Sequence, residues 1–424
     1  MKNQRERAIL VACHIKSRRL DGRTSGQHLT PEESLEELAS LACSAGAEVV
    51  DRVIQERERI DSAYYIGSGK LQELRERILA KQAETVVFDE NLSPAQQRNI
   101  ERQLDSKVID RTQLILDIFA ARARTREGKL QVELAQLNYL LPRLAGKGIE
   151  LSRLGGGIGT RGPGETKLET DQRKIHSRIH KIERALERVK AHRRLHRSFR
   201  STVPVPTISL VGYTNAGKST LFNALTQADA LASSQLFATL DPLLRRVRLP
   251  SNREAILSDT VGFISKLPTT LVSAFRATLE EIGAASLLLH VIDAASPHFQ
   301  QQREAVQSVL EDLKLSGKPL LEVYNKVDLV SSKAALPLHG GAVAVSALER
   351  RGIEALLERM DELLSADPVI KARFVFSHHQ GAALSRLYAQ SRLIHRDYRE
   401  ESIYLEVEAP KSLVEQLSEF RVGS

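Results

Sequence analysis

Eight consecutive residues, Gly212-Tyr213-Thr214-Asn215-Ala216-Gly217-Lys218-Ser219, have the types and spacing to hold phosphate. In the pattern GxxxxGK[ST] the glycines let main-chain N–H groups close around β- and γ-phosphates. Lys218 adds a point charge, and the Ser219 hydroxyl can ligate Mg²⁺. Three further segments follow in order. Asp259-Thr260-Val261-Gly262 offers a carboxylate that can hold Mg²⁺ through water and a glycine N–H that can grip a γ-phosphate. In Asn325-Lys326-Val327-Asp328, the Asp328 carboxylate presents two acceptors to the N1–H and amine of guanine. Adenine offers an acceptor and no amine there, so the carboxylate selects GTP over ATP. Ser346-Ala347-Leu348 can close over the guanine O6 with backbone N–H groups. Between the first two segments lies Phe237-Ala238-Thr239-Leu240-Asp241-Pro242. Thr239 there can place its hydroxyl on Mg²⁺ and its N–H on the γ-phosphate, with Thr226 and Thr260 as less well placed rivals.

The groups expected to act on the phosphates are therefore Lys218, Thr239, Asp259 and Gly262, with Ser219 and Thr239 as metal ligands and Thr220 beside them at the start of the following helix. The residue after Gly262 is Phe263, where a glutamine would orient the attacking water. A phenyl ring cannot do this, so intrinsic hydrolysis should be slow and completed by a partner. Asn215 resembles the asparagine that coordinates K⁺ in certain GTPases, which makes K⁺ a candidate cofactor beside Mg²⁺ and GTP or GDP.

These loops need a scaffold, and the sequence supplies one. Ile208 to Val211 reads as a buried strand leading into the phosphate loop, and Ser219 to Leu225 as the helix leaving it. Strand signals at Arg245–Leu249, Ala255–Ser258, Leu287–Ile292, Leu320–Tyr324 and Ala342–Val345 alternate with helical ones at Thr270–Ile282, Phe299–Leu315 and Ile353–Leu364. That alternation implies an α/β P-loop GTPase domain with a mostly parallel sheet over residues 203–366, with ligand loops at the carboxyl ends of its strands.

Upstream, residues 1–110 alternate strand and helix signals and read as a small α/β domain. Its segment Tyr64-Tyr65-Ile66-Gly67-Ser68-Gly69-Lys70 imitates a second phosphate loop. It lacks the first glycine, and Leu71 replaces the metal-binding hydroxyl, so it reads as a structural strand-to-helix turn. Residues 111–202 read as a long antiparallel helical hairpin. One helix runs from Arg111 to Leu144 and the second from Glu165 to about Arg200, joined by a Gly-rich basic loop over 145–164 that carries Arg153 and Arg161. The formal GxGxxG in that loop, Gly157, Gly159 and Gly162, has no strand before it and is a decoy. Ile175, Ile179, Ile182, Leu186 and Val189 make an a/d seam. Arg and Lys residues crowd the outside of that helix, without an acid from Arg188 onward, which points to nucleic acid. Residues 367–424 form a small C-terminal α/β domain of unread chemistry.

Composition narrows the class. The 424 residues carry 61 Lys and Arg against 53 Asp and Glu, a net charge of +8 that suits a polyanionic partner. Aromatics make up 4% and Trp is absent, so phosphate and shape contacts should dominate over base stacking. No apolar run is long enough to cross a bilayer and no signal peptide is evident, so a cytoplasmic protein is expected, peripherally associated with ribosomes or membrane. Cys13 and Cys43 lack metal or redox spacing and are expected to be small buried apolar residues.

With IGSGKLQEL, FDENLSPAQQRNIE, VIDRTQLILDIFAARARTREGKLQVELAQLNYLLPRL, GGGIGTRGPGETKLE and LVGYTNAGKSTLFNAL, the chain resembles the HflX family of ribosome-associated GTPases over most of residues 60–300. The resemblance implies an N-terminal HflX domain and a hairpin whose loop approaches the catalytic centre of the large ribosomal subunit. It also implies GTP-dependent separation of stalled or stressed 70S particles, with the 50S subunit and its ribosomal RNA as partners and a monomer when free. A hydrophobic residue after DxxG, here Phe263, is that family's habit. Two other readings remain open from the residues alone: a nucleotide-regulated RNA-binding or unwinding protein that also uses ATP, and a structural RNA-binding protein whose nucleotide site only stabilises the fold.

Overall fold

The computed structural model describes residues 5–16, 30–144, 163–200, 205–226, 237, 243–266, 282–330, 336–338, 340–364, 369–377, 380–399 and 402–422, with backbone alone for 163–168, 190–200, 369, 382, 389, 390, 392, 399, 410 and 412. The first unit is a four-stranded parallel sheet in the order β2-β1-β3-β4. Its strands are β1 (Arg7–Ile15), β2 (Glu48–Arg57), β3 (Thr85–Phe88) and β4 (Lys107–Asp110), connected by α1 (Pro31–Ser44), α2 (Ser68–Lys81) and α3 (Pro94–Leu104). Local chemistry sets the helix starts. Thr30 with Glu33, and Ser93 with Gln96, form reciprocal capping boxes, each followed by a proline in the first turn that needs no N–H partner.

The stretch Arg111 to Leu144 is two helices, not the one expected. α4 (Arg111–Arg122) ends at Ala123 in an extended conformation, and Thr125 Oγ1 accepts the Gly128 N–H at 2.9 Å to start α5 (Arg126–Leu144). The break lets α4 pack against α1, β3 and β4, while α5 turns away to pair with α6 (Pro163–Arg200). Ile179, Ile182 and Leu186 of α6 are buried, while Val132, Ala135 and Tyr139 of α5 join the core cluster that includes Leu114, Ile115 and Phe119 of α4. Arg178 forks onto Glu133 across the α5–α6 pairing at 2.6 and 2.8 Å, and Arg173, Lys174, Lys181, Arg184 and Arg188 face solvent. The Gly-rich loop, apart from its last two residues, lies outside the described residues, as do the side chains beyond Val189.

The second sheet has six strands in the order β10-β9-β8-β5-β7-β6. These are β5 (Thr207–Gly212), β6 (Leu243–Arg248), β7 (Glu254–Asp259), β8 (Leu287–Asp293), β9 (Leu320–Asn325) and β10 (Val343–Ala344). All pair in parallel except β6, which runs antiparallel to β7 at the edge. α7 (Lys218–Thr226), α8 (Phe299–Asp312) and α9 (Ile353–Leu364) flank it, and all but the last residue of the expected helix Thr270–Ile282 lies outside the described residues. The C-terminal unit is a three-stranded antiparallel sheet, β11 (Val369–Ser377), β13 (Ser402–Pro410) and β12 (Arg392–Arg399), with α10 (Gly381–Gln390) and α11 (Lys411–Gln416).

One apolar cluster joins the first two units. Leu38, Leu41, Leu116 and Phe119 from the first pack in the same core as Val211, Phe263, Leu288 and Val306 from the second. Burying that surface at roughly 25 cal/mol per Å² makes the contact part of the fold rather than a loose apposition. The cysteines depart from expectation: Cys43 is exposed on α1 and Cys13 is half-buried at the end of β1.

Candidate nucleotide-binding site

The carboxyl ends of the parallel strands place the sequence segments together. β5 delivers the phosphate loop, β7 ends at Asp259 and β9 ends at Asn325, with Asp293 of β8 pairing directly with Asn325 across the sheet. Gly212 is required by close approach: a Cβ there would lie 2.3 Å from the Val291 carbonyl oxygen. Gly217 has φ +89°, and a Cβ on it would strike Asn325 Nδ2 at 2.3 Å. Asn325 ties two loops to each other, donating from Nδ2 to the Ala216 carbonyl at 2.9 Å and accepting the Ala347 N–H on Oδ1 at 3.0 Å. Ser346 Oγ accepts the Glu349 N–H at 3.2 Å, while Leu348 is 78% exposed.

Lys218 is buried and donates to the carbonyls of Gly212 at 3.0 Å and Tyr213 at 2.7 Å. Burial pushes its amine down to about 8, against the opposing charge of Asp259 and with Lys326 adding to the fall. Ser219 donates to Asp259 Oδ2 at 2.7 Å, so a hydroxyl and a fully buried carboxylate converge where Lys218 begins α7. This hard-oxygen pair fits Mg²⁺, which prefers few protein oxygens and keeps several waters. Asp328 sits in a short 3₁₀ turn (Val327–Leu329) after Lys326, whose φ is 64°. The Oδ1 of Asp328 is shielded from solvent and has no hydrogen-bond partner among the described residues, which leaves an acceptor available to a ligand donor.

The segment after Asp259 is stitched to the phosphate loop. The Phe263 N–H donates to the Gly212 carbonyl at 3.0 Å, and the Thr214 N–H donates to the Phe263 carbonyl at 2.7 Å. Gly262 is thereby pressed onto the loop so closely that a Cβ would lie 2.9 Å from both Lys218 Nζ and Thr214 Cα. Thr260 is buried, its hydroxyl donating to the Leu210 carbonyl, and Val261 is buried beside it. The Phe263 ring points into the shared core rather than at the loop. Asn215 is exposed with φ 62°, and Ala216 is buried. Phe237 is buried against Phe119 of α4, ring centroids 4.7 Å apart; Ala238, Thr239, Leu240 and Asp241 lie outside the described residues.

Sequence reasoning missed a polar cluster under this segment. The Tyr213 hydroxyl donates to Glu37 at 2.9 Å and accepts the Ser265 N–H at 2.8 Å, and Ser265 Oγ donates to Glu37 at 2.6 Å. Arg111, 1% exposed, pairs with Asp89 at 2.6 Å and Glu37 at 3.0 Å and donates to Ser265 Oγ at 3.2 Å. Lys266 bridges Asp89 and Glu90, and Ser34 donates to Asp89 at 2.6 Å. Burial alone would raise the Asp89 carboxyl, but Arg111 and Lys266 outweigh it and hold it below the usual carboxylate range. Asp89 and Arg111 follow strands β3 and β4 at their carboxyl ends, the one rule that could have marked them. The rival loop at Tyr64–Lys70 is structural in form: Gly67 donates to Gln55, and Lys70 pairs with Glu73 within α2 at 2.8 Å.

A parallel sheet with a phosphate loop, DxxG, NKxD and SAL at its strand ends defines a P-loop GTPase, and residues 207–326 match a family described as 50S ribosome-binding GTPase. The GTPase HflX of Caldanaerobacter subterraneus subsp. tengcongensis is 47% identical over 425 residues, covering 100% of this chain and 95% of that protein. The chain belongs to the HflX family of GTPases. Residues 32–120 and 122–200 match that family's regions described as GTP-binding GTPase N-terminal and GTP-binding GTPase Middle Region. The GTPase HflX of Escherichia coli is 47% identical over 388 residues, covering 89% of this chain and 90% of that protein. Among solved structures, a GTP-binding protein from Sulfolobus solfataricus in complex with GDP is 26% identical with a TM-score of 0.43, covering 85% of this chain and 99% of that one. Among the described residues, no helix is long and apolar enough to cross a membrane.

Proposed function

We propose that this GTPase is a GTP-driven switch on the large ribosomal subunit that separates stalled or stressed 70S particles, with the hairpin α5–α6 as the arm presented to ribosomal RNA. The observation that carries the reading is the double link of one short segment. Phe263 is hydrogen-bonded to the phosphate loop, and two residues later Ser265 is held by Glu37 and Arg111 of the first unit. For the Gly262 N–H to meet a γ-phosphate, Phe263 must release Gly212 and Thr214, and the pull passes through Ser265 and Lys266 to α1 and α4. α4 leads directly into the arm. Phe237, two residues before Thr239, packs on the same helix, so both nucleotide-sensing segments report to one element.

In this reading Asp328 receives the guanine edge, Asn325 braces the phosphate loop against Ala347, and Lys218 moves from loop carbonyls to phosphate oxygens. Ser219 and Asp259, joined by Thr239, would hold Mg²⁺, which supplies charge neutralisation between the β- and γ-phosphates. Asn215, exposed on the loop, is the side chain that would meet K⁺. The buried phenyl of Phe263 has no polar atom for a water, so hydrolysis is slow until the ribosome completes the site.

The experiment measures GTP turnover with and without 50S subunits, alongside co-sedimentation with 50S and 70S particles under GDP, GTP and a non-hydrolysable analogue. Stimulated turnover and GTP-dependent pelleting are expected. A rate indifferent to 50S, with equal pelleting under all three nucleotides, sinks the switch.

A further inference from the structure

We infer that Asp293, outside the five nucleotide segments, is a positioning residue for guanine recognition and acts by holding Lys326 across the phosphate loop. Asp293 ends β8 and is the cross-strand neighbour of Asn325. Its two oxygens have separate tasks. Oδ1 accepts the Ala295 N–H at 3.0 Å, fixing the carboxylate's own turn, and Oδ2 accepts from Lys326 Nζ at 2.7 Å. The pair is mostly enclosed, with the lysine side chain 25% and the aspartate side chain 16% exposed.

Lys326 is an awkward residue to hold still. Its φ of 64° is disfavoured for a residue with a side chain, and its main chain launches the turn that carries Asp328. Its stem runs over the loop: a Cβ on Gly217 would lie 3.9 Å from Lys326 Cε. One end of this side chain thus belongs to the guanine-reading turn, the middle covers the phosphate loop and the ammonium is tied to Asp293. Without that tie the long side chain regains its rotamers, and the wall it forms beside the base is lost. A freed ammonium also adds positive charge near Lys218, which attracts phosphate rather than repelling it. The two halves of the nucleotide should therefore respond differently: grip on the base falls and grip on bare phosphate does not.

This inference rests on the reading that Asp328 receives guanine. Full-length protein, Asp293→Asn, Lys326→Met and the double variant are titrated with GDP, ADP and tripolyphosphate. Asp293→Asn keeps the acceptor for Ala295 and removes only the charge. It is expected to weaken GDP about five- to tenfold while tripolyphosphate stays within about twofold, and to raise the KM for GTP with little change in kcat. In the Lys326→Met background the same substitution should add nothing, and Asp293→Glu should restore part of the affinity. Equal losses for GDP and tripolyphosphate, no loss of GDP, or an undiminished loss beside Met at position 326 each overturn the positioning role. If the wild-type protein binds ADP as tightly as GDP, the guanine-site reading itself falls, and this inference with it.

Discussion

Arg111→Met tests the junction between the two sheets. The guanidinium is 1% exposed and is shared by Asp89, itself 1% exposed, and Glu37 at 12%. Removing one partner of a buried ionic cluster leaves uncompensated charge and costs about 3–5 kcal/mol. Here the lower end is expected, near 3 kcal/mol, because Asp89 keeps Lys266 and the Ser34 hydroxyl, and Glu37 keeps the Tyr213 and Ser265 hydroxyls. The assay is urea unfolding of wild type and variant at several pH values. In the wild type the Asp89 carboxyl lies below its unfolded value, so its contribution is complete above that value and fades as pH falls through the folded one. In the variant the same carboxyl, buried without Arg111, rises, and protonation relieves its penalty. The gap between the two proteins should therefore narrow on acidification, and Arg111→Met with Asp89→Asn should recover part of the loss. A gap under about 1 kcal/mol, or one that ignores pH, would refute the account.

Other outcomes are expected. Gly262→Ala brings a methyl group within 2.9 Å of Lys218 Nζ and Thr214 Cα, so the protein should fold yet lose about tenfold or more in GTP turnover, read by phosphate release. Asp328→Asn should weaken GDP by about 10- to 100-fold and relax discrimination against ADP in competition binding, since charged hydrogen bonds are worth about 1.5–3 kcal/mol. Burial, aided by the charges of Arg303 and Lys218, pushes His290 down to about 3, so stability should fall as pH drops below the unfolded value of about 6.5. Unfolding free energies at pH 7 and 5.5 should differ less in His290→Leu than in wild type.

Much of this was legible because short apolar runs ending in Gly, Asp or Asn mark strands whose carboxyl ends carry loops. Ile208–Val211 falls within β5, and the NKxD segment falls where β9 ends. The misses have local causes. β4 is four residues long and runs straight into α4 without a turn signal, and β12 is an edge strand reading Arg-Leu-Ile-His-Arg-Asp-Tyr-Arg, with no clean alternation. The break after Arg122 carries neither Gly nor Pro, only the Thr125 cap. The Ser265–Glu37 and Lys266–Asp89 bonds span 228 and 177 residues, and no periodicity reports a pairing at such range.

The shared core has a consequence for how the chain is made. Phe119 packs its ring against Phe237, which leaves the ribosome 118 residues later by their numbering. At about 5–20 residues per second, α4 spends roughly 6–24 s beside a finished first sheet with one greasy flank uncovered. A nascent-chain chaperone would have its best foothold there, and a pause in translation between residues 119 and 237 would lengthen that exposure, whereas a later pause would not.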